Sequence, residues 1–301
     1  MDMHEQTAEW QTGEYGLASD LEIIQRQAAE RRQVLRWLLA GVATIPLASC
    51  GGSADTASTA STATGSTGSS GTTTTTTTTT TTPAAGSCAV IPEETAGPYP
   101  ADGSNTNGGS IVNVLNQSGV VRSDIRASFN GATGVAAGVP LTIKLQLVNA
   151  SASCASLAGY AIYLWHCDRD GNYSLYSSGV TAQNYLRGVQ ETDSSGAVTF
   201  TTIYPGCYAG RVPHVHFEVY PSLAKAATAS SRIKTSQFTF PTATSSEVYA
   251  SSGYSASVRN LAQISYATDN VFSDGTSLQM ASVTGNVTDG YVVTLTIGVN
   301  G

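Results

Sequence analysis

The chain has 301 residues, only 12% of them charged, and its 14 Lys and Arg against 21 Asp and Glu leave a net charge of -7. Such a balance provides no basic stripe to neutralise phosphates, which argues against nucleic acid as a partner. With 41% hydrophobic residues there is ample material for a core, yet no apolar run reaches the roughly 20 residues that a membrane span needs.

In chain order, the first feature is Arg31-Arg32-Gln33-Val34-Leu35-Arg36, followed by a short apolar run from Trp37 to Leu47. The arginine pair resembles a twin-arginine export signal, and Leu47-Ala48-Ser49-Cys50 resembles a lipobox. These resemblances imply cleavage before Cys50 and lipid attachment to its sulfur. Residues 1–50 are therefore expected to be an export signal, and the protein an exported, periplasmic or cell-surface lipoprotein that meets the membrane only through that anchor. The alternative for residues 20–41 is an amphipathic helix packed in a domain. Residues 51–86 are rich in Ser, Thr, Ala and Gly, carry Asp55 as their only charge, and include eleven consecutive threonines from Thr72 to Thr82. Ordering a residue costs about 1–2 kcal/mol, and this composition buries too little apolar surface to offset it, so a disordered tether is expected.

From residue 87 onward the signals are those of strands. Residues 141–147 alternate as Leu-Thr-Ile-Lys-Leu-Gln-Leu, residues 160–165 read as a fully buried strand, and residues 198–203 follow the turn Asp193-Ser194-Ser195-Gly196. Residues 291–297 alternate again near the end of the chain. Strands at this spacing, with few helical periods between them, predict an all-β domain over 87–301, built as a β-sandwich. Apart from Cys50 the cysteines are Cys88, Cys154, Cys167 and Cys207, which in an oxidising compartment could form two disulfides by any of three pairings.

The chemistry concentrates at Tyr208-Ala-Gly-Arg211-Val-Pro-His214-Val-His216, which holds two of the four histidines in the chain. From His214 the order His-Val-His-Phe-Glu-Val-Tyr alternates with period two. It predicts a half-buried strand with both imidazoles on one face and Val215, Phe217 and Val219 on the core. A His-x-His pair alone suits a metal-free cross-strand pair as well as half of a metal site. No acidic residue lies between Tyr204 and His216, and the nearby oxygen donors are the phenols Tyr204, Tyr208 and, further back, Tyr173. A phenol ionises near pH ~10 and ligates well only to a strongly polarising cation. Zinc prefers thiolate, imidazole and carboxylate, so this donor set points to ferric iron.

Two segments, Leu164-Trp-His-Cys-Asp-Arg-Asp-Gly-Asn-Tyr173-Ser and the run from Gly188 through Pro205-Gly-Cys-Tyr208 to His216-Phe, resemble the intradiol ring-cleavage dioxygenases. That family includes catechol and protocatechuate 3,4-dioxygenases. The resemblance spans about residues 88–301 and implies the family's β-sandwich. It implies Fe(III) as cofactor, with Tyr173, Tyr208, His214 and His216 as its ligands and Arg211 beside them. Glu94-Thr95-Ala96-Gly97-Pro98-Tyr99 resembles the stretch that lines the substrate pocket, assigning Gly97, Pro98 and Tyr99 to substrate, and Thr235-Ser236-Gln237 resembles the strand whose glutamine faces the site. The implied activity is cleavage of a catechol-type diol by O2 to a cis,cis-muconate-type diacid. Tyr173 is implied to be the axial ligand that the substrate displaces, and Arg211 to stabilise the developing carbanion.

Two departures from the family stand out. Only five residues separate Tyr208 from His214, which trims the loop at the substrate mouth. One chain carries both the pocket-lining stretch and the ligands, which protocatechuate enzymes divide between subunits, so a self-contained site is expected, alone or within a homodimer. Arg211 also admits a structural salt bridge, Cys167 and Cys207 either a bridge or a thiolate ligand, and His166 a core position. The alternative function is a non-catalytic β-sandwich surface lipoprotein that binds aromatic or carbohydrate ligands. A zinc or copper hydrolase using His-x-His lacks a carboxylate base at suitable spacing.

Overall fold

The computed structural model describes residues 88–301; the export signal with Cys50 and the tether expected over 1–86 lie outside the described residues. The described strands are β1 (Asp102–Asn107), β2 (Ser110–Asn113), β3 (Pro140–Asn149), β4 (Ala155–Ser156), β5 (Ala161–Trp165), β6 (Arg187–Glu191), β7 (Ala197–Ile203), β8 (His214–Tyr220), β9 (Lys234–Thr239), β10 (Ser282–Asn286) and β11 (Gly290–Val299). One sheet runs β10-β11-β3, with β3 pairing further to β7 along Pro140–Gln146 and to β4 at Val148 and Asn149. Its β3–β11 pair is parallel. The other sheet is antiparallel in the order β6-β5-β8-β9, and β1 and β2 form a separate hairpin.

The two larger sheets pack as the expected β-sandwich. Leu141, Ile143, Leu145 and Leu147 of β3 and Phe200 of β7 meet Ile162 and Leu164 of β5 and Val215, Phe217 and Val219 of β8. The alternation read from 141–147 and 215–219 is the inner face of this core. The half-buried reading of the histidine strand is corrected, because all seven residues of β8 are buried. The face expected to meet solvent lies in a second cluster, where Tyr163 and Trp165 of β5, Val189 of β6 and Tyr220 of β8 pack with Tyr173, Cys167, Val114 and Leu115. Period two reports that the faces differ, and a polar face covered by loops reads the same as one covered by water.

Among the described residues two α-helices have no counterpart in the sequence expectations, α1 (Thr242–Tyr249) and α2 (Ser255–Leu261). Both brace the segment leading to Tyr208. Tyr204 Oη and Ser245 Oγ of α1 lie 2.8 Å apart, and Tyr249 Oη donates to the Pro205 carbonyl at 3.0 Å. From α2, Ser257 Oγ accepts the Cys207 N–H at 2.9 Å, and Asn260 Nδ2 donates to the Cys207 carbonyl at 2.8 Å.

Cys88 and Cys154 form a disulfide across 66 residues of sequence. In the chain-entropy picture a loop of that size is stabilised by about 4 kcal/mol. Among the described residues no second bridge accompanies it. Cys167 and Cys207 are free and buried, and their thiols donate to different carbonyls, those of Gly206 at 3.5 Å and Arg211 at 3.3 Å.

His166 is a satisfied core residue, with Nδ1 2.7 Å from the Cys167 carbonyl and Nε2 2.7 Å from Thr202 Oγ1. Burial lowers its pKa to about 4. The folded chain therefore keeps His166 neutral to near pH 4, whereas the unfolded chain takes up that proton near pH ~6.5. Its contribution is complete above pH ~6.5 and falls by about 3 kcal/mol as the pH drops toward 4. Denaturant titrations at pH 7 and 4.5 should show this loss in the native protein and a shallower slope in His166→Gln; equal slopes would contradict it.

Candidate metal centre

β8 opens at His214, directly after Pro213, and its cross-strand partners frame the second histidine. His216 lies opposite Trp165 of β5 and Gln237 of β9, so the three side chains share one face. The Trp165 and His216 rings stack at 4.9 Å with planes 8° apart.

The loop after β5 delivers Tyr173. Asp168 Oδ1 accepts the N–H groups of Asp170 at 3.0 Å and Asn172 at 2.9 Å, closing a tight turn. Gly171 occupies φ +88° within it, and a Cβ there would stand 2.9 Å from Tyr208 Cβ. Tyr173 and Tyr208 consequently approach each other, ring centroids 5.9 Å apart and planes 72° apart.

Four polar atoms converge in the resulting space. Tyr173 Oη lies 3.3 Å from both His214 Nε2 and His216 Nε2, and Tyr208 Oη lies 3.2 Å from His214 Nε2. His214 Nδ1 is 2.6 Å from the Val212 carbonyl, which can only accept, so Nδ1 carries the proton and Nε2 presents its lone pair. His216 Nδ1 is buried without a hydrogen-bond partner among the described residues. Burial, reinforced by Arg211, holds His214 well below the usual imidazole range, and burial with the field of His214 does the same for His216. Burial, with Tyr208 nearby, pushes Tyr173 well above the usual phenol range.

This set fits a hard, highly charged cation. Two neutral imidazole nitrogens and two phenol oxygens face one another, and the positive charge that would stabilise phenolates is not supplied by the imidazoles. Among the described residues no group of three or more His, Cys, Asp and Glu is placed to hold a metal ion, so the tyrosines are essential to any centre here.

Arg211 borders the cluster. Its Nε donates to Asp269 Oδ2 at 3.0 Å, its Nη2 to Gln237 Oε1 at 2.8 Å, and its Nη1 lies 3.5 Å from His214 Nε2. The salt bridge and the approach to the site coexist. Gln237 Nε2 donates in turn to the Thr95 carbonyl at 2.8 Å, tying down the stretch that carries Gly97, Pro98 and Tyr99. Gly97 has φ +68°, and a Cβ there would meet His216 Cε1 at 3.4 Å. Tyr99 packs on Tyr173 at 4.9 Å, and the Pro98 carbonyl accepts from Asn105 Nδ2.

Tyr173, Tyr208, His214, His216, Arg211, Gln237, Gly97 and Tyr99 therefore meet in one place, whereas the contact shown for Pro98 is with Asn105. Tyr204 does not join them, being held in the core beside Phe240 and Tyr249. Sequence reasoning missed Trp165 and Asp269. The first is hidden in an apolar strand, and the second is 58 residues from its arginine.

Residues 121–228, which include Tyr173, Tyr208, Arg211, His214 and His216, match a family model described as Dioxygenase. An intradiol ring-cleavage dioxygenase from Tetranychus urticae superposes with a TM-score of 0.54 at 23% identity, covering 71% of this chain and 95% of that one. The domain has the intradiol dioxygenase fold. Other solved structures it is similar to include the dioxygenase domain of a dioxygenase carbohydrate-binding protein fusion from Streptomyces sp. SirexAA-E, with 22% identity, coverage of 70% and 99%, and a TM-score of 0.43. A chlorocatechol 1,2-dioxygenase from Pseudomonas putida follows with 20% identity, coverage of 60% and 67%, and a TM-score of 0.40. No curated protein sequence matches the chain.

Within this fold the approach of Tyr208 to Gly171 is a specific test of the geometry. Gly171→Ala should displace Tyr208 and cost about 1–3 kcal/mol through overpacking and the left-handed backbone. Chemical denaturation checks it, and an unchanged midpoint would mean that the two loops are not in contact.

Proposed function

We propose that the protein is a non-haem Fe(III)-dependent intradiol dioxygenase that cleaves a catechol-type diol with O2 to a cis,cis-muconate-type diacid. The observation that carries this reading is the meeting of Tyr173 Oη, Tyr208 Oη, His214 Nε2 and His216 Nε2 at separations of 3.2–3.3 Å. These four residues would hold the iron. Bound there, ferric iron would withdraw electron density from the diol and make its ring reactive toward dioxygen. In the overall change the carbon–carbon bond between the two oxygenated carbons breaks, and both atoms of O2 end in the product carboxyls.

The protein's own groups divide the remaining work. Tyr173, which would be a phenolate only while holding the cation, is assigned to take up a proton at Oη as the diol ionises. The Arg211 guanidinium, with Nη1 toward the cluster, would stabilise negative charge that develops on the ring, an effect of about 2–4 kcal/mol by comparison with other buried donors. Gly97 leaves space beside His216, and the Tyr99 ring on Tyr173 offers an aromatic wall for a flat substrate. Buried Trp165 keeps the His216 imidazole in plane and shields it from water.

The motifs in residues 1–86 extend this proposal. Export through a twin-arginine signal, a lipid on Cys50 and a spacer over 51–86 would set the enzyme at a membrane outside the cytoplasm. The twin-arginine route carries folded proteins, which suits a domain that acquires its metal early.

Iron-loaded protein should be coloured by tyrosinate-to-iron charge transfer and should consume O2 with at least one member of a panel of substituted catechols and hydroxyquinol. Tyr208→Phe should bleach the visible band and reduce iron content, and an unchanged spectrum would exclude that ligand. Arg211→Ala should keep the colour while turnover drops about 10²–10³-fold. A full rate would remove its electrostatic role.

A further inference from the structure

Resting on the dioxygenase reading above, we propose that Asp269 is a positioning residue which, through one carboxylate, aims Arg211 and fixes His214. Asp269 is fully buried, 58 residues from Arg211, and four donors reach it. Oδ2 accepts Arg211 Nε–H at 3.0 Å and the Val212 N–H at 2.9 Å, while Oδ1 accepts the N–H groups of Val271 at 2.8 Å and Phe272 at 3.2 Å. Val212, Val271 and Phe272 form an apolar cluster around this contact, so water does not compete for it.

The geometry of the grip matters. A carboxylate commonly takes an arginine in a two-pronged fork that uses two guanidinium nitrogens. Asp269 instead spends Oδ2 on Nε and the Val212 N–H, which leaves both Nη groups for other partners. Gln237 takes Nη2, and Nη1 is the edge left toward His214. The same Asp269 oxygen anchors Val212, whose carbonyl accepts the His214 Nδ1 proton. A single anion thus fixes the direction of a cation and the tautomer of an imidazole.

The test combines a double-mutant cycle with a measurement that needs no turnover. Asp269→Asn, Arg211→Met and the double variant are compared as iron-loaded full chains, and hydrogen exchange at Arg211 Nε–H is followed by ¹⁵N spectroscopy of metal-free protein, assigned by its loss in Arg211→Met. We expect Asp269→Asn to speed Nε–H exchange and lower kcat about 10–100-fold with little change in KM. In the Arg211→Met background the same substitution should cost less than about twofold. An equal loss in both backgrounds would reduce Asp269 to a structural residue and overturn the proposal, as would native exchange in Asp269→Asn. If Asp269→Asn does not fold, Asp269→Ser carries the same comparison. Inactive iron-loaded native protein would defeat the dioxygenase reading, whereas the exchange measurement would still decide whether Asp269 holds Arg211.

Discussion

Burial of both faces of β8 is the constraint on which the rest of the structure depends. One face supplies Val215, Phe217 and Val219 to the sandwich core, and this fixes the strand. The opposite face then carries His214 and His216 into the interior, where water cannot solvate an imidazolium. The neutral form is enforced by the position, and a neutral imidazole is a lone-pair donor. The same burial disfavours a bare phenolate at Tyr173. An added cation would relieve that tension, because it could accept two nitrogen lone pairs and stabilise the oxygens as anions.

The layer that buries this face also supplies the remaining site residues. Arg187 is the brace between its parts, donating through Nη1 to the Pro100 carbonyl at 3.0 Å and through Nε and Nη2 to Ser174 Oγ at 3.1 Å and the Ser174 carbonyl at 3.0 Å. It thereby links the residue after Tyr99 to the residue after Tyr173. Helices α1 and α2 hold the segment before Tyr208 from the other side. Arg211 and Gln237 join the histidine strand to the stretch containing Gly97. The cluster is consequently fixed by contacts distant in sequence, and its position does not depend on one loop alone.

The strands at 141–147, 160–165, 198–203 and 291–297 were legible because their side chains alternate or are uniformly apolar. The depth of β8 was not legible, since its cover consists of a hairpin and irregular loops with no periodic signature. Helix α1 escaped notice for a similar reason. Its sequence Thr-Ala-Thr-Ser-Ser-Glu-Val-Tyr carries only Val248 and Tyr249 as large buried residues, so it has no apolar stripe. His214 and His216 drew attention through their own spacing, whereas the pairing of Tyr173 with Tyr208 rested on family resemblance. Asp269 has no local motif. The wrong expectation for Cys167 and Cys207 came from counting cysteines, which says nothing about where each thiol points.

On the proposed function, two tyrosines and two histidines together hold one ferric ion. Resonance Raman spectroscopy of the iron-loaded protein, excited within its visible band, tests it most directly. Enhanced tyrosinate ring modes are expected, weakening when either Tyr173 or Tyr208 is replaced by Phe. Iron-loaded protein without tyrosinate modes, or modes that survive loss of both residues, would contradict it.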